Sequence, residues 1–464
     1  MSGWRPVVLL HKGTTKQKAL TKTIIADIES GILVANARMP THRELASELG
    51  LAVQTVSLSY KEAERLGYLR GEVGRGTFVR NRSDQADRYM LDRAAGEIVD
   101  LSIARCVFTD AHEQASRHVM GELAQSDNGA FMRPCRPIAG LDRHRATAQV
   151  WLRKLGVEAP ADRILITNGT AHGIFLALAS IVRPGDMVLT ENLTDHGVIG
   201  LASVLGFNLR GLATDSEGLL PDAFAAACAA GPVKALVITP TLTNPTSHVA
   251  GAKRRQDLAR IARKHGVFVV EDEVFKPLID SELPSMTTLL PDLAFCATSF
   301  SKTILTGLRV GYLVVPSQFS IRVTSVLRAT SWSATNLPAE IATRWIADGT
   351  AESLRVLQRT EVRARQALLA EILSPYIAST HPLSLCAWLK MPSQWTEESL
   401  VRVLAEQKIA VTPAEPFIAG DGRHTGIRIC LGGRLSHAAL RNSLQAIRRI
   451  FEQLPPVLDV RSIA

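Results

Sequence analysis

The chain has 464 residues, 46% of them hydrophobic and 21% charged, with 32 Gly and 22 Pro, which excludes a disordered or collagen-like polymer and suits about three units of about 150 residues. The formal charge of +9 is unevenly placed: residues 1–80 hold twelve Lys or Arg against seven Asp or Glu, as expected of a small unit that meets a polyanion. No apolar run approaches the roughly 20 residues that cross a bilayer, and the six scattered cysteines include no CxxC pair; the expectation is a cytoplasmic protein with reduced thiols, no membrane partner and no metal.

Residues 19–31, ALTKTIIADIESG, place Leu20, Ile24, Ile25 and Ile28 on one helical face and stop at Gly31. Pro40 and Thr41 then precede HRELASELG, where Thr41 and Glu44 have capping-box spacing and Gly50 ends the helix. A third helix begins near Val53 and runs through QTVSLSYKEAERLG, with Val56, Tyr60, Ala63 and Leu66 at core spacing and Gln54, Thr55 and Ser57 in its first turn. The stretch YLRGEVGRGTFV, residues 68–79, reads as two short strands joined by a turn that contains Gly74 and carries Arg75.

Three helices and a hairpin make a winged helix-turn-helix, whose recognition helix enters a major groove of double-stranded DNA. Candidate DNA contacts are Arg43, Gln54, Thr55, Ser57, Lys61 and Arg75. Lys61, beside Glu62 and Glu64, is also suited simply to solvating a helix face, and the same helices are compatible with a protein-interaction module. Together MPTHRELASELGL, TVSLSYKEAERLGYL and GRGTFV resemble the DNA-binding domain of the GntR family of bacterial transcription regulators. The resemblance implies that Arg43 contacts DNA and that the helix start and wing add further contacts, with Ala52 and Val53 where the family usually carries Ser and Arg. Residues 81–98 are polar and mixed in charge, the expected linker between a DNA-binding domain at 1–80 and a larger unit at 99–464.

In the larger unit RILIT (163–167), DMVLT (186–190), KALVITP (234–240), VFVVED (267–272) and YLVVP (312–316) are strand candidates, alternating with helical stretches such as AHGIFLALASIV and AKRRQDLARIARKHG. This pattern predicts an α/β fold with a largely parallel sheet, helices on both faces and a site at the strand ends. Four constellations lie at those ends. Gly169 and Thr170 open a helix whose free N–H groups suit a phosphate, although such a pair is also an ordinary cap. Asn244 projects from a loop that Pro245 can fix by itself. Asp272 ends an apolar strand, where an unpaired carboxylate is costly and a cation would relieve it. Lys302, flanked by Ser299 and Ser301 and followed by Arg309, offers an amine that can condense with an aldehyde.

In order, these pieces describe a pyridoxal 5'-phosphate site. Gly169, Thr170, Ser299, Ser301 and Arg309 surround the phosphate, Lys302 meets the aldehyde, Asp272 pairs with the ring nitrogen and Asn244 meets the ring hydroxyl oxygen. The set resembles fold-type I aminotransferases of class I over roughly residues 100–455, on S-F-S-K and the downstream G-L-R-x-G-Y. That resemblance implies a smaller α+β carboxy-terminal domain whose arginine, Arg428 in GIRIC, receives an effector α-carboxylate. Asp195 in ENLTDHG stands where the family has an aromatic that stacks on the ring, with His196 beside it, and Phe275 replaces a tyrosine.

A winged helix joined to an aminotransferase-like unit resembles the MocR subgroup of GntR regulators. The resemblance implies a homodimer that senses an amino acid, an amine or the cofactor level through Lys302; the rival reading is an active aminotransferase with an attached DNA-targeting domain.

Overall fold

The fold is that of a computed structural model, which describes residues 4, 6, 15–29, 32–34, 37–65, 68–72, 75–79, 98–126, 132–279, 283–420 and 424–455. Contacts divide the chain into two units, Met1–Arg88 and Tyr89–Ala464. The linker expected at 81–98 lies, apart from Ile98, outside the described residues, as do Gly31, Leu66 and Gly74.

The first unit holds α1 (Lys16–Glu29), α2 (His42–Leu49), α3 (Val53–Arg65), β1 (Leu69–Glu72) and β2 (Gly76–Val79). The start of α2 is the predicted capping box: Glu44 N–H donates to Thr41 Oγ1 at 3.3 Å and Thr41 N–H to the Glu44 carboxylate at 2.8 Å. Gly50, at φ +60°, ends it in the left-handed conformation that glycine tolerates best. Leu20, Ile24, Leu45, Val56, Tyr60, Ala63, Leu69 and Val79 close one core, each of the larger side chains adding about 1.5–3 kcal/mol on burial. Two polar ties fix α3 within it: the Tyr60 hydroxyl donates to Pro40 O at 2.9 Å and Ser59 to Gln17 O at 3.1 Å. The hairpin is antiparallel, with Leu69 opposite Val79 and Glu72 opposite Gly76.

The second unit is built on seven strands: β3 (Ile164–Thr167), β4 (Met187–Glu191), β5 (Asn208–Leu212), β6 (Ala235–Ile238), β7 (Phe268–Asp272), β8 (Ala294–Ser299) and β9 (Gly311–Val314). Their spatial order is β3-β9-β8-β7-β6-β4-β5, and β9 alone of the seven runs opposite to the other six. Every residue of β3, β6, β8 and β9 is buried, as the continuous apolar runs predict for strands covered on both faces. Three helices, α4 (Thr170–Ile181), α5 (His196–Leu205) and α6 (Ala252–His265), flank the sheet; α4 follows β3 directly, so its N-terminus stands at a strand end.

Two further helices, α7 (Thr350–Leu373) and α8 (His437–Glu452), pack against a smaller sheet of β10 (Ile377–Thr380), β11 (Cys386–Leu389), β12 (Thr412–Pro413) and β13 (Ile427–Cys430), ordered β10-β11-β13-β12 with antiparallel pairs. Strand alternation sorts β13: Ile427 and Ile429 join the apolar cluster with Leu369, Leu440 and Ile447, so Arg428 and Cys430 take the opposite face. No helix among the described residues is long and apolar enough to cross a membrane.

Candidate functional site

The phosphate-type corner comes first in the chain. Between β3 and α4, Gly169 adopts φ +90°, a conformation that demands glycine, and a Cβ there would press on Arg309 Nη2 at 3.0 Å. Thr170 Oγ1 next to it is buried without a hydrogen-bond partner. Arg309 donates from Nη1 to Ser301 Oγ at 3.3 Å, and Ser301 N–H donates to Ser299 Oγ at 3.3 Å. The fold therefore gathers Gly169, Thr170, Ser299, Ser301 and Arg309 at one helix N-terminus, where the dipole, free N–H groups and a guanidinium all favour an anion.

Three adjacent strand ends supply the next groups. Asp272, at the end of β7, accepts from Val274 N–H at 3.0 Å. Burial, reinforced by the nearby Asp195 charge, pushes its carboxyl up to about 8, so it keeps its proton near neutrality unless a cation approaches. Lys302, in the turn after β8, is only partly exposed and donates from Nζ to Ala104 O at 2.5 Å. Burial draws its ammonium below the usual lysine range and Arg428 adds to that, while Asp195 opposes it. Asn244, in the loop after β6, is buried; its Nδ2 donates to Asp195 Oδ2 at 2.6 Å and its Oδ1 accepts from Arg428 Nη1 at 3.0 Å.

Arg428 is 2% exposed. It donates from Nη2 to Ser102 O and, at 3.3 Å, to Thr412 Oγ1, its Nε has no partner, and its guanidinium sits 4.6 Å from the Phe417 ring centroid. A continuous path thus runs from Arg428 through Asn244 to Asp195, beside Lys302 and Asp272.

Several contributors had no distinct sequence signal. Arg255 looks like one cation of many in AKRRQDLARIARKHG, yet it is wholly buried. Its Nε donates to Ala250 O at 3.0 Å, and its Nη2 to Pro240 O at 3.1 Å and Thr241 Oγ1 at 2.8 Å. Its Nη1 reaches Glu273 at 2.8 Å and Glu271 at 3.3 Å. One guanidinium therefore ties both ends of the Asn244 loop to the two residues flanking Asp272. The carbonyls of Ser102 and Ala104 are likewise invisible in sequence, since every residue has one. Asp195, unsuited to stacking, caps α5 by accepting from Gly197 N–H at 2.8 Å; His196 turns edge-on to Phe417, and Phe275 lies in an apolar cluster with Val274, Leu278, Cys386 and Cys430.

In the first unit, Arg43 is exposed near the start of α2, Gln54 is exposed and Thr55 and Ser57 half-buried at the start of α3, Lys61 is exposed further along α3, and Arg75 is exposed in the turn between β1 and β2.

The family model "Aminotransferase class I and II" matches residues 97–447. The chain belongs to the aminotransferase class I and II family. A second model, "Bacterial regulatory proteins, gntR family", matches residues 16–79, so this aminotransferase-family chain carries a GntR-type helix-turn-helix, a DNA-binding domain, in the MocR-type architecture. It is similar to the uncharacterized HTH-type transcriptional regulator YdeF of Bacillus subtilis, 26% identical over 443 residues and covering 94% of each chain. It is also similar to the HTH-type pyridoxine biosynthesis transcriptional regulator PdxR of Corynebacterium glutamicum, 25% identical over 438 residues, covering 90% of this chain and 92% of that one.

Among solved structures, an archaeal alanine:glyoxylate aminotransferase superposes with TM-score 0.72 at 19% identity over 85% of this chain and 99% of its own. The α-aminoadipate aminotransferase LysN of Thermus thermophilus, complexed with N-(5'-phosphopyridoxyl)-L-leucine, superposes with TM-score 0.70 at 19% identity over 79% of this chain and 96% of its own. The family binds pyridoxal phosphate, and the orphaned Thr170 hydroxyl, the bare Cα of Gly169 and the cation-seeking Asp272 suit that group's phosphate and ring nitrogen. The chain is thus a GntR-type helix-turn-helix regulator fused to an aminotransferase-like unit.

Proposed function

We propose that this regulator works in the cytoplasm as a homodimer whose large unit holds pyridoxal phosphate and couples the arrival of an amino acid or amine effector to DNA affinity. When bound, pyridoxal phosphate supplies an aldehyde that an amine captures covalently and a ring that withdraws electrons. Gly169, Thr170, Ser299, Ser301 and Arg309 hold its phosphate. Asp272 gives up its proton to pair with the ring nitrogen, Asn244 meets the ring hydroxyl oxygen, Lys302 is the point of covalent attachment, and Arg428 receives the effector carboxylate. Arg43, Gln54, Thr55, Ser57, Lys61 and Arg75 meet the DNA.

One observation carries the reading. Lys302 and Arg428, which meet aldehyde and carboxylate respectively, both hold carbonyls of a single short segment, Ala104 and Ser102. That segment follows closely on the linker expected at 81–98. Engaging the cofactor and effector costs Lys302 and Arg428 those hydrogen bonds, so the first stretch of the large unit feels both events. Phe275 and Asp195, which replace a hydroxyl donor and a stacking ring, favour sensing over sustained turnover.

Switching by this route needs effector affinities that differ about 5- to 150-fold between the two protein states, a coupling of about 1–3 kcal/mol. The test is titration of operator DNA at fixed salt with the cofactor-loaded protein, with and without candidate amino acids and polyamines, and with Lys302→Ala alongside. A shift of at least about 5-fold, absent in Lys302→Ala, is expected. Identical isotherms throughout, or sustained transamination with no effect on DNA binding, reject the reading.

A further inference from the structure

Although 44 residues apart, Cys386 and Cys430 face each other directly across β11 and β13. The ladder hydrogen bond belongs to the neighbouring pair, Leu431 N–H to Leu385 O at 2.8 Å. Cys430 N–H donates elsewhere, to Leu101 O at 2.8 Å, and Cys386 N–H to Ser384 Oγ at 3.0 Å. The cysteines therefore form a non-hydrogen-bonded pair, the type in which Cα atoms approach to about 4.5 Å and side chains come closest. A disulfide needs Cα atoms roughly 4.4–6.8 Å apart, so the register already meets that need. The two sulfurs stand 3.6 Å apart.

The surroundings make the two thiols unequal. Cys430 lies two residues beyond Arg428 on the same face of β13. Burial raises its thiol, but the Cys386 hydrogen bond and the charges of Arg428 and Lys302 outweigh that and bring it below the usual thiol range. Cys386 is held well above that range by its hydrogen bond to Cys430 and by burial. One sulfur is poised to attack and the other to resolve.

We propose that Cys386 and Cys430 are a peroxide-reactive dithiol, a modification site built into the wall of the effector site. The Cys430 thiolate attacks hydrogen peroxide: a sulfur–oxygen bond forms as the oxygen–oxygen bond breaks, and hydroxide leaves with the electron pair and takes up the proton that Cys430 shed on ionising. Cys386 sulfur then attacks Cys430 sulfur; the sulfur–sulfur bond forms, the sulfur–oxygen bond breaks, and the departing hydroxide takes the Cys386 proton. Two thiols and one hydrogen peroxide yield one disulfide and two waters, with sulfur oxidised and peroxide oxygen reduced. Both sulfurs are buried, which restricts the oxidant to one of peroxide size. Closing the sulfurs to about 2.05 Å draws β13 against β11 beside Arg428 and removes a thiolate from its field. The second consequence, altered effector affinity, rests on the reading of Arg428 given above; the disulfide itself does not.

The test treats the reduced full-length protein with a small excess of hydrogen peroxide, traps remaining thiols by alkylation and maps the peptides by mass. A Cys386–Cys430 cross-linked peptide pair, lighter by two hydrogens and reversed by dithiothreitol, is expected. Cys386→Ser and Cys430→Ser, checked for folding by circular dichroism, should each abolish it, and the wild-type map decides the matter if either variant fails to fold. Two alkylated thiols after peroxide, stepwise over-oxidation of Cys430 with Cys386 free, or a bond to another cysteine overturns the site. Amino-acid titrations followed by cofactor absorbance, on reduced and oxidised protein, should differ by at least about 5-fold. Superimposable curves remove the regulatory step and leave the disulfide standing, whereas a reduced protein with no absorbance response rejects the effector reading instead.

Discussion

Arg43 and Arg428 are each read as receivers of an anion, yet the fold treats them in opposite ways. Arg43 stands exposed near the start of a short helix. Arg428 is buried, with carbonyl, hydroxyl and amide oxygens already on its guanidinium and an aromatic ring against it. A phosphate arriving at Arg43 displaces counterions, so its contribution is set by salt. A carboxylate arriving at Arg428 must displace protein groups, so its contribution is set by neighbouring structure and is little screened. On that reading the surface arginine is tuned by the medium and the buried one by the fold.

Four measurements would break or sharpen that contrast. The largest effect belongs to Arg255→Met, which leaves Glu271 and Glu273 buried with Lys276 alone, among the described residues, in place of a full cation partner; the large unit should lose about 3–5 kcal/mol in urea unfolding. Wild-type stability would show that the buried receiver does not depend on this anchor.

Asp272→Asn comes next. Because the carboxyl rises in the fold from an ordinary value of 3.8 to about 8, the cofactor-free native state binds more protons than the unfolded state between those limits. Wild-type stability therefore falls as pH rises through that window, and the amide variant escapes the loss. The variant's advantage should grow with pH and exceed about 1 kcal/mol at the upper limit, measured by urea unfolding without cofactor. A difference independent of pH would contradict the assignment.

Arg43→Ala should weaken operator binding about 10-fold, about 1.4 kcal/mol, and flatten the salt dependence by roughly one unit of slope. An unchanged slope would remove it from the phosphate contacts. The smallest change is expected of Thr41→Ala, which deletes the α2 cap and should cost about 1 kcal/mol in the melting of the first unit.

How much of this was legible in sequence follows from the range of the interactions. The helix-turn-helix was readable because its signals are local: Thr41 with Glu44, Gly50 at a helix end, and glycines in the hairpin. The five strands expected in the large unit appear at their places because double-sided burial requires unbroken apolar runs. NLRGL, the edge strand β5, carries no clear strand signal because Arg210 and half-exposed alternation disguise it, and AFCATS, β8, runs directly into the S-F-S-K motif that masks its strand character. Motif order brought out Lys302, Asp272 and Asn244. Their supports did not show, because Arg255, the Ser102 carbonyl and the Cys386–Cys430 register acquire meaning only when distant segments meet.

The span of the Arg428 to Ser102 hydrogen bond, 326 residues along the chain, bears on how the protein is made. The apolar core of the first unit is drawn from residues 4–79 and can settle while translation continues, since domains generally fold as units from the N-terminus during synthesis. The pocket must wait for β13 to leave the ribosome. For that interval a nascent chain presents a folded helix-turn-helix ahead of an unfinished aminotransferase-like unit, whose unpaired strand edges stay open to aggregation.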